Sequence, residues 1–326
     1  MRYVVFGAGA IGGVVGGRLA EHGRDVVFVA RGAHLDALRA DGLLLRSPDG
    51  DVRVPAIVTG SITDVGVRPD DIVLLTVKGQ DTAAALDAVV AAVPDGQRPP
   101  ALVCAQNGVE NERLALRRFP DVYGMVVVLP ATHLEPGVVV ASSAPVTGML
   151  DLGRIPTGAD DLARRVAADL SASTFSSRAV DDVLRVKRRK LLLNLGNALE
   201  AAAGPGSGTR RLYERARDEA LACFGAAGLE VASAEEDRAR REGVLDVRPV
   251  DGERRGGGST WQSLARASGS VEVDLLNGEI VLLGRLHGVP TPVNELLQRV
   301  AWRLARSGAP PGSVTARALE AELAGG

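Results

Sequence analysis

The stretch "FGAGAIGG" at residues 6–13 decides the fold, because its glycines have the spacing G-x-G-x-x-G. The apolar run "RYVVF" at residues 2–6 leads into it, and the run "DVVFVA" at residues 25–30 follows one helix length later. A buried strand, a glycine turn, a helix and a second buried strand form the usual dinucleotide-binding unit. The sequence therefore predicts an α/β fold that begins with a Rossmann-type dinucleotide-binding domain.

Each position of this turn has a mechanical reason. Gly7 lets the chain turn tightly, Gly9 lets a pyrophosphate approach the backbone, and Gly12 lets the helix pack closely on the sheet. Ala10 and Ile11 lie in the first helical turn, where backbone N–H groups can face an anion. We therefore predict that these five residues bind the dinucleotide. A tight turn without a ligand is the alternative.

The end of the second strand indicates which dinucleotide is bound. Sites that prefer NAD usually place an acidic residue there, which accepts hydrogen bonds from the ribose 2′-OH. Here the chain reads "FVARGAHL" at residues 28–35, so that place is taken by Ala30 and Arg31. Because a guanidinium suits a 2′-phosphate, we predict NADP(H) with Arg31 as a cofactor-binding residue. The alternative is a solvated loop arginine.

Two later strands deliver polar residues at their carboxyl ends. The segment "DDIVLLTVKGQDT" at residues 70–82 ends in Lys78, and "ALVCAQNGVENE" at residues 101–112 ends in Asn107. Ligands of open α/β sheets lie beyond this end of the strands, so we expect both side chains to contact the cofactor and Asn107 also to reach the substrate. The alternatives are an exposed loop lysine and an asparagine that only caps the following helix.

From about residue 180 the pattern becomes helical, as in "VDDVLRVKRRKLLLNLGNALEAAAG" at residues 180–204. We predict a dinucleotide-binding domain over residues 1–178 and an all-helical C-terminal domain over residues 179–326. Lys190 and Asn194 lie four residues apart and share one helix face among leucines. Burying them is costly unless they are paired, so a functional role is one interpretation. The alternative is that Lys190 belongs to an exposed basic run.

Composition excludes several classes of function. The formal net charge is −2 and the basic residues are spread along the chain, so no nucleic-acid partner is expected. The two cysteines and four histidines are scattered, which predicts no metal site.

We expect no membrane-spanning helix, because no run of about 18 apolar residues occurs, and we expect a cytoplasmic enzyme. The last helices are apolar enough for a possible homodimer, and the charged, glycine-rich residues 241–258 could order over a ligand.

Several segments resemble the ketopantoate reductase family (2-dehydropantoate 2-reductases), and they occur in the family's order over nearly the whole chain. They are "GAGAIGG" at 7–13, "TVK" at 76–78, "QNGVEN" at 106–111, "RRKLLLN" at 188–194, "VEVDLLNGEIV" at 271–281 and "HGVPTPVN" at 287–294. The K-x-x-x-N and E-x-D-x-x-N-G spacings are the specific ones, since many dehydrogenases share the glycine turn.

The resemblance implies NADPH-dependent reduction of a 2-keto acid to a 2-hydroxy acid. It implies that Lys190 serves as general acid and that Glu272 hydrogen-bonds the substrate hydroxyl. It also implies that Asn107 and Asn194 contact the cofactor and the substrate. The pair of hydroxyl residues that binds substrate in the family corresponds here to Ser259 and Thr260. A lysine suits this chemistry, because an ammonium both stabilises the negative charge that grows on a ketone oxygen and protonates it.

The chain departs from the family pattern around the expected substrate pocket. It has "STWQSL" at residues 259–264 where the family often has Ser-Ser-Met-Leu-Gln-Asp. Ala198 stands where the family usually has a second asparagine, and Asn197, one residue earlier, lies about 100° away from that position round the helix. Two alternatives therefore stay open: a related dehydrogenase for another hydroxy or imino acid, and a non-catalytic NADPH-binding regulator.

Overall fold

In a computed structural model of the chain, the described residues are 1–206, 208–253, 256–267 and 269–325. The chain divides into two compact units. Unit 1 consists of Met1–Gln106, Asn111–Leu184 and Glu235–Arg255, and unit 2 consists of Asn107–Glu110, Arg185–Ala234 and Gly256–Gly326. Among the described residues, no helix is both long enough and apolar enough to cross a bilayer.

Among the described residues, the strands lie between Arg2 and Ser176. They are β1 (Arg2–Phe6), β2 (Asp25–Val29), β3 (Leu43–Arg46), β4 (Val52–Val54), β5 (Ile57–Thr59), β6 (Ile72–Leu75), β7 (Ala101–Cys104), β8 (Val122–Val128), β9 (Ala131–Thr132), β10 (Val138–Ala141), β11 (Gly148–Arg154) and β12 (Phe175–Ser176).

Helices alternate with these strands and then form most of the described residues after Ser176. They are α1 (Ala10–Glu21), α2 (Gly32–Asp41), α3 (Thr82–Ala92), α4 (Asn111–Leu116), α5 (Asp161–Ser171), α6 (Val183–Asn194), α7 (Asn197–Ala203), α8 (Arg210–Ala226), α9 (Ala234–Arg241), α10 (Ser259–Ala265), α11 (Asn277–His287), α12 (Pro292–Ser307) and α13 (Ala316–Gly325). Short 3-10 helices cover Ile62–Val65, Gly79–Asp81 and Glu272–Leu275.

Unit 1 is built on an eight-stranded sheet with the order β12-β11-β8-β7-β6-β1-β2-β5. Its strands pair in parallel except for β8 with β11, and the continuous apolar runs of β1, β6 and β7 fit burial on both faces. The order changes direction around β1, so the glycine turn after β1 stands at the switch point where such sheets bind ligands. The predicted Rossmann-type domain is confirmed.

The strands between residues 122 and 154 do not all join the main sheet. Strands β9 and β10 leave the main sheet and join β3 and β4 in a four-stranded sheet with the order β4-β3-β10-β9. Val139 of β10 lies against α1, where a Cβ added to Gly13 would be 2.6 Å from its Cγ1. The second sheet therefore covers the helix that follows the glycine turn.

Unit 2 is helical in its described residues, as predicted. Two apolar clusters hold it together, one around α7, α10 and α12 and the other around α6, α8 and α11. Val109 packs in the second cluster beside Leu191 and Leu276, which explains why the short segment Asn107–Glu110 belongs to unit 2 and not to the sheet domain.

The segment Glu235–Arg255 belongs to unit 1, although it lies inside the residues that we expected to form the helical domain. Arg240 makes a bidentate ion pair with Asp151 of β11, with both distances 2.7 Å. Further along, the backbone N–H of Arg248 donates to the carbonyl of Ser142 at 2.8 Å. The segment is thus bound to sheet residues, and a covering of a ligand by residues 241–258 stays a prediction.

Candidate active site

The glycine turn has the geometry that a dinucleotide needs. Gly7 has φ +111°, and a Cβ there would lie 2.8 Å from the backbone nitrogen of Val77, so a side chain is excluded. A Cβ on Gly12 would lie 2.2 Å from the carbonyl oxygen of Gly7. Gly7 and Gly12 are therefore required by the close approach of β1, α1 and the residues after β6.

Gly9 is different, because a Cβ there would have no atom within 4 Å. Its backbone precedes α1 as the N-cap residue, and Ala10, Ile11 and Gly12 form the first turn. The first N–H groups of a helix have no acceptor within the helix and favour an anion. Open space over Gly9 and a helix N-terminus beside it fit a pyrophosphate, as the sequence predicts.

Thr76 clamps this turn, a role that the sequence reasoning missed. Its hydroxyl lies 2.8 Å from the carbonyl oxygen of Gly7 and 3.1 Å from that of Phe6. Thr76 is the first residue of the "TVK" segment, in which only Lys78 was predicted to contact the cofactor. The sequence does contain a signal for this role: a small hydroxyl residue directly after a buried strand, at the edge of the sheet where ligands bind.

Arg31 and Lys78 stand where the sequence placed them. Arg31 is exposed, follows β2 by two residues and precedes α2 as its N-cap residue. Lys78 follows β6 and begins the short helix Gly79–Asp81, with its side chain half-buried. Both therefore lie beyond the carboxyl ends of parallel strands next to β1.

A buried amide and hydroxyl chain fixes the strand end from which Asn107 departs. The side-chain amide of Gln106 donates to the carbonyl of Val77 at 2.9 Å and to the hydroxyl of Thr82 at 2.8 Å. That hydroxyl donates to Oδ1 of Asn111 at 2.8 Å. The "QNGVEN" segment thus contains two residues that hold the fold, Gln106 and Asn111, on either side of Asn107.

Unit 2 brings three predicted site residues together. The ammonium of Lys190 donates to Oδ1 of Asn107 at 2.8 Å and to Oδ1 of Asn194 at 3.3 Å. All three side chains are half-buried. The i, i+4 spacing on α6 aligns Lys190 with Asn194, while the turn that follows β7 supplies Asn107. We call these three residues the lysine cluster.

Glu272 lies at the start of the short helix Glu272–Leu275 and is 8% exposed. This helix packs on the turn that carries Asn107, because a Cβ on Gly108 would be 2.7 Å from the carbonyl oxygen of Leu275. The Glu272 carboxylate also lies within electrostatic reach of Arg266, a residue that the sequence reasoning did not consider. A hydrogen bond of Glu272 to the substrate hydroxyl stays a prediction.

Ser259 and Thr260 begin α10, and Thr260 is buried. The side-chain amide of Asn197 lies 3.4 Å from the Ser259 hydroxyl. The helix is interrupted at Leu195–Gly196, and Asn197 starts α7 with Ala198 directly after it, so the two positions still differ by about 100° round that helix. Gly196 lies against the ring of Tyr213, where an added Cβ would be 3.3 Å from the ring.

The asparagines of two other motif segments hold the helices together. Asn277 donates to the carbonyl of Leu195 at 3.3 Å and to Oδ1 of Asn294 at 3.0 Å. Asn294 in turn donates to the carbonyl of Ala216 at 3.0 Å. The E-x-D-x-x-N-G spacing thus includes a buried residue that fixes the end of α6, directly after Asn194.

Within the described part of the chain, no group of three His, Cys, Asp or Glu residues is arranged to hold a metal ion. Cys104 and Cys223 are both buried free thiols.

The chain is similar to known reductases over both units. A family model described as ketopantoate reductase PanE/ApbA matches residues 3–156, and the model of its C-terminal part matches residues 182–304. A 2-dehydropantoate 2-reductase of Halobacterium salinarum is 31% identical over 324 residues, which cover 94% of this chain and 100% of the relative.

Solved structures have the same fold. A PanE/ApbA family ketopantoate reductase from Ralstonia eutropha JMP134 has a TM-score of 0.78 and 28% identity, covering 94% of this chain and 99% of its own. A ternary structure of D-mandelate dehydrogenase with NADH and anilino(oxo)acetate has a TM-score of 0.79 and 21% identity, with the same coverage of 94% and 99%. At that identity the second likeness concerns the fold alone.

Proposed function

The chain belongs to the ketopantoate reductase family, and from that membership we propose that it reduces a 2-keto acid to a 2-hydroxy acid with NADPH. Ketopantoate, with pantoate as product, is the first candidate substrate. The chain is an oxidoreductase of the class that acts on CH–OH donors, and its cofactor is a nicotinamide dinucleotide. The observation that carries the mechanism is the 2.8 Å hydrogen bond from Lys190 to Asn107.

The residues around the glycine turn suit the cofactor. Gly7, Gly9 and Gly12, with Ala10 and Ile11, would hold the pyrophosphate, and Lys78 would face its negative charge. Arg31 would bind the 2′-phosphate, because it is an exposed guanidinium at the position where NAD sites usually have an acid. When bound, the nicotinamide supplies the hydride. NADPH rather than NADH is our proposal from Arg31.

The lysine cluster would handle the proton. Hydrogen bonds from the ammonium to the amide oxygens of Asn107 and Asn194 orient it. A fixed ammonium stabilises the negative charge that develops on the oxygen of a ketone as it is reduced, and it then donates a proton to that oxygen. Lys190 is therefore the proposed general acid.

The other predicted residues would hold the substrate. Glu272 is a buried carboxylate on the short helix that packs on the Asn107 turn, so it suits an acceptor for the hydroxyl that forms. Hydroxyl and amide groups of Ser259, Thr260 and Asn194 are suited to the substrate carboxylate. Asn197 joins this set, because its amide is close to the Ser259 hydroxyl.

Turnover with a panel of 2-keto acids tests the proposal. The protein is mixed with NADPH or NADH, and loss of reduced-nicotinamide absorbance is followed with ketopantoate and with smaller, larger and aromatic 2-keto acids. We expect turnover with NADPH and a higher kcat/KM for one 2-keto acid than for the rest. Tight NADPH binding without turnover of any 2-keto acid would favour the regulator alternative instead.

Some expectations from the sequence stay predictions. They are the cytoplasmic location, the possible homodimer and the absence of a nucleic-acid partner. Substrates other than ketopantoate also stay open. Position 261, where the family often has methionine, carries the larger Trp261 side chain, which packs over Gly256 and Gly257.

A further inference from the structure

His34 touches the glycine turn, although nothing in the proposed mechanism uses it. Its Nε2 atom lies 2.7 Å from the carbonyl oxygen of Ala8, between Gly7 and Gly9. Its Nδ1 atom accepts a hydrogen bond from the backbone N–H of Gly137 at 2.9 Å. The side chain thus joins the turn to the loop between β9 and β10.

These two partners determine the protonation of the ring. The N–H of Gly137 can only donate, so Nδ1 must carry no proton, and the carbonyl of Ala8 can only accept, so Nε2 must carry one. Burial lowers the pKa of His34, and the neighbouring His133 ring, 4.3 Å away between centroids, lowers it further. His34 is therefore neutral at neutral pH with its proton on Nε2.

Ala8 matters because its carbonyl and the N–H of Gly9 belong to one peptide plane. In a trans peptide the two groups point in opposite directions, so a fixed carbonyl also fixes the N–H. The carbonyl is confined on a second side, since a Cβ on Gly13 would lie 3.0 Å from its oxygen. The absence of a side chain at Gly13 thus leaves room for this carbonyl.

We propose that His34 is a positioning residue of the dinucleotide turn: by holding the Ala8 carbonyl it directs the N–H of Gly9 for the cofactor pyrophosphate. The inference rests on the proposed function, because it requires that this turn binds the nucleotide. It differs from the role of Arg31, which concerns only the 2′-phosphate. His34 acts on the part that NADPH and NADH share, so its loss affects both.

Three variants separate the two contacts of the ring. In His34→Gln the amide nitrogen takes the place of Nε2 and can donate to Ala8, whereas in His34→Asn the amide takes the place of Nδ1 and reaches only Gly137. His34→Leu removes both contacts. Dissociation constants for NADPH and NADH are measured by fluorescence titration, with thermal unfolding as a check on the fold.

We expect His34→Leu and His34→Asn to bind both nucleotides about tenfold more weakly than wild type, as for one lost hydrogen bond in a binding loop. His34→Gln should recover most of the affinity, and kcat at saturating cofactor should change little in all three. In the wild type, nitrogen NMR should report the Nε2–H tautomer at neutral pH.

Equal affinities of His34→Gln and His34→Asn would overturn the proposal, because the Ala8 contact would then not matter. So would an Nδ1–H tautomer, or wild-type affinity in a folded His34→Leu. If His34→Leu does not fold, the Gln and Asn pair still decides. Failure of the wild-type protein to bind either nucleotide would instead overturn the proposed function, and the role of His34 with it.

Discussion

Arg31 gives the sharpest test at the scale of a single residue. Removing its guanidinium in Arg31→Ala takes away charge-assisted hydrogen bonds to the 2′-phosphate, so the NADPH dissociation constant should rise about 10- to 100-fold. The NADH dissociation constant should stay unchanged, because NADH has no 2′-phosphate. Arg39→Ala, at the exposed far end of α2, is the matched control and should bind both nucleotides normally. Equal losses for both nucleotides would contradict the assignment.

The residue types in the motif segments do not by themselves show which residues bind a ligand and which hold the helices together. Asn107, Asn277 and Asn294 all lie in segments that resemble one family, yet the structure buries Asn277 and Asn294 completely in contacts between helices. Asn107 is half-buried and contacts Lys190. Sequence could predict the candidates, but which amides are buried depends on contacts between residues far apart in the chain.

At the scale of elements, α12 depends on a carboxylate from a neighbouring helix. Glu219 of α8 accepts hydrogen bonds from the backbone N–H groups of Val293 and Asn294, at 2.9 and 3.0 Å, in the first turn of α12. This places a negative charge at a helix N-terminus and satisfies two N–H groups that the helix itself leaves unpaired.

Glu219→Ala should therefore lower the free energy of unfolding by about 2 kcal/mol, measured by urea denaturation. Glu214→Ala on the same helix is the control. Glu214 forms a surface ion pair with Arg210, and its loss should cost less than about 1 kcal/mol. Similar losses for the two variants would show that the cap on α12 does not contribute as argued.

Some strands and helices could be predicted well from the sequence, and others could not. Continuous apolar runs bounded by glycines and polar residues predict β1, β2, β6 and β7 closely, because strands buried on both faces have that pattern. Short strands such as β9 and β12 have two residues each, too few for any period to appear. The interruption between α6 and α7 was not predicted; its residues contact distant parts of the chain, since Gly196 lies against Tyr213 and the Leu195 carbonyl accepts a hydrogen bond from Asn277.

At the scale of the whole molecule, the two units are interleaved in sequence. The segment Glu235–Arg255 belongs to unit 1 through a partly buried ion pair and backbone hydrogen bonds, and Asn107–Glu110 belongs to unit 2 through Val109. A change in composition along the chain predicts one domain boundary, but it cannot reveal that a later segment belongs to the earlier unit. Partners like Arg240 and Asp151 are 89 residues apart.

Unit 1 carries the residues proposed for the cofactor, apart from Asn107, whereas unit 2 carries those proposed for the substrate. The central claim concerns the chemical step in the intact chain: the ammonium of Lys190 stabilises and protonates the oxygen of the reduced ketone. Binding of NADPH to the glycine turn does not require that ammonium. Loss of Lys190 should therefore separate turnover from cofactor binding.

The most direct measurement is the single-turnover rate of NADPH oxidation by Lys190→Ala with saturating 2-keto acid, beside its NADPH dissociation constant. The rate should fall about 10²- to 10⁴-fold with cofactor affinity unchanged. Arg188→Ala, which removes a cation from a different face of α6, should retain the wild-type rate. A Lys190→Ala rate within about threefold of wild type would contradict the account, because general acid catalysis contributes far more.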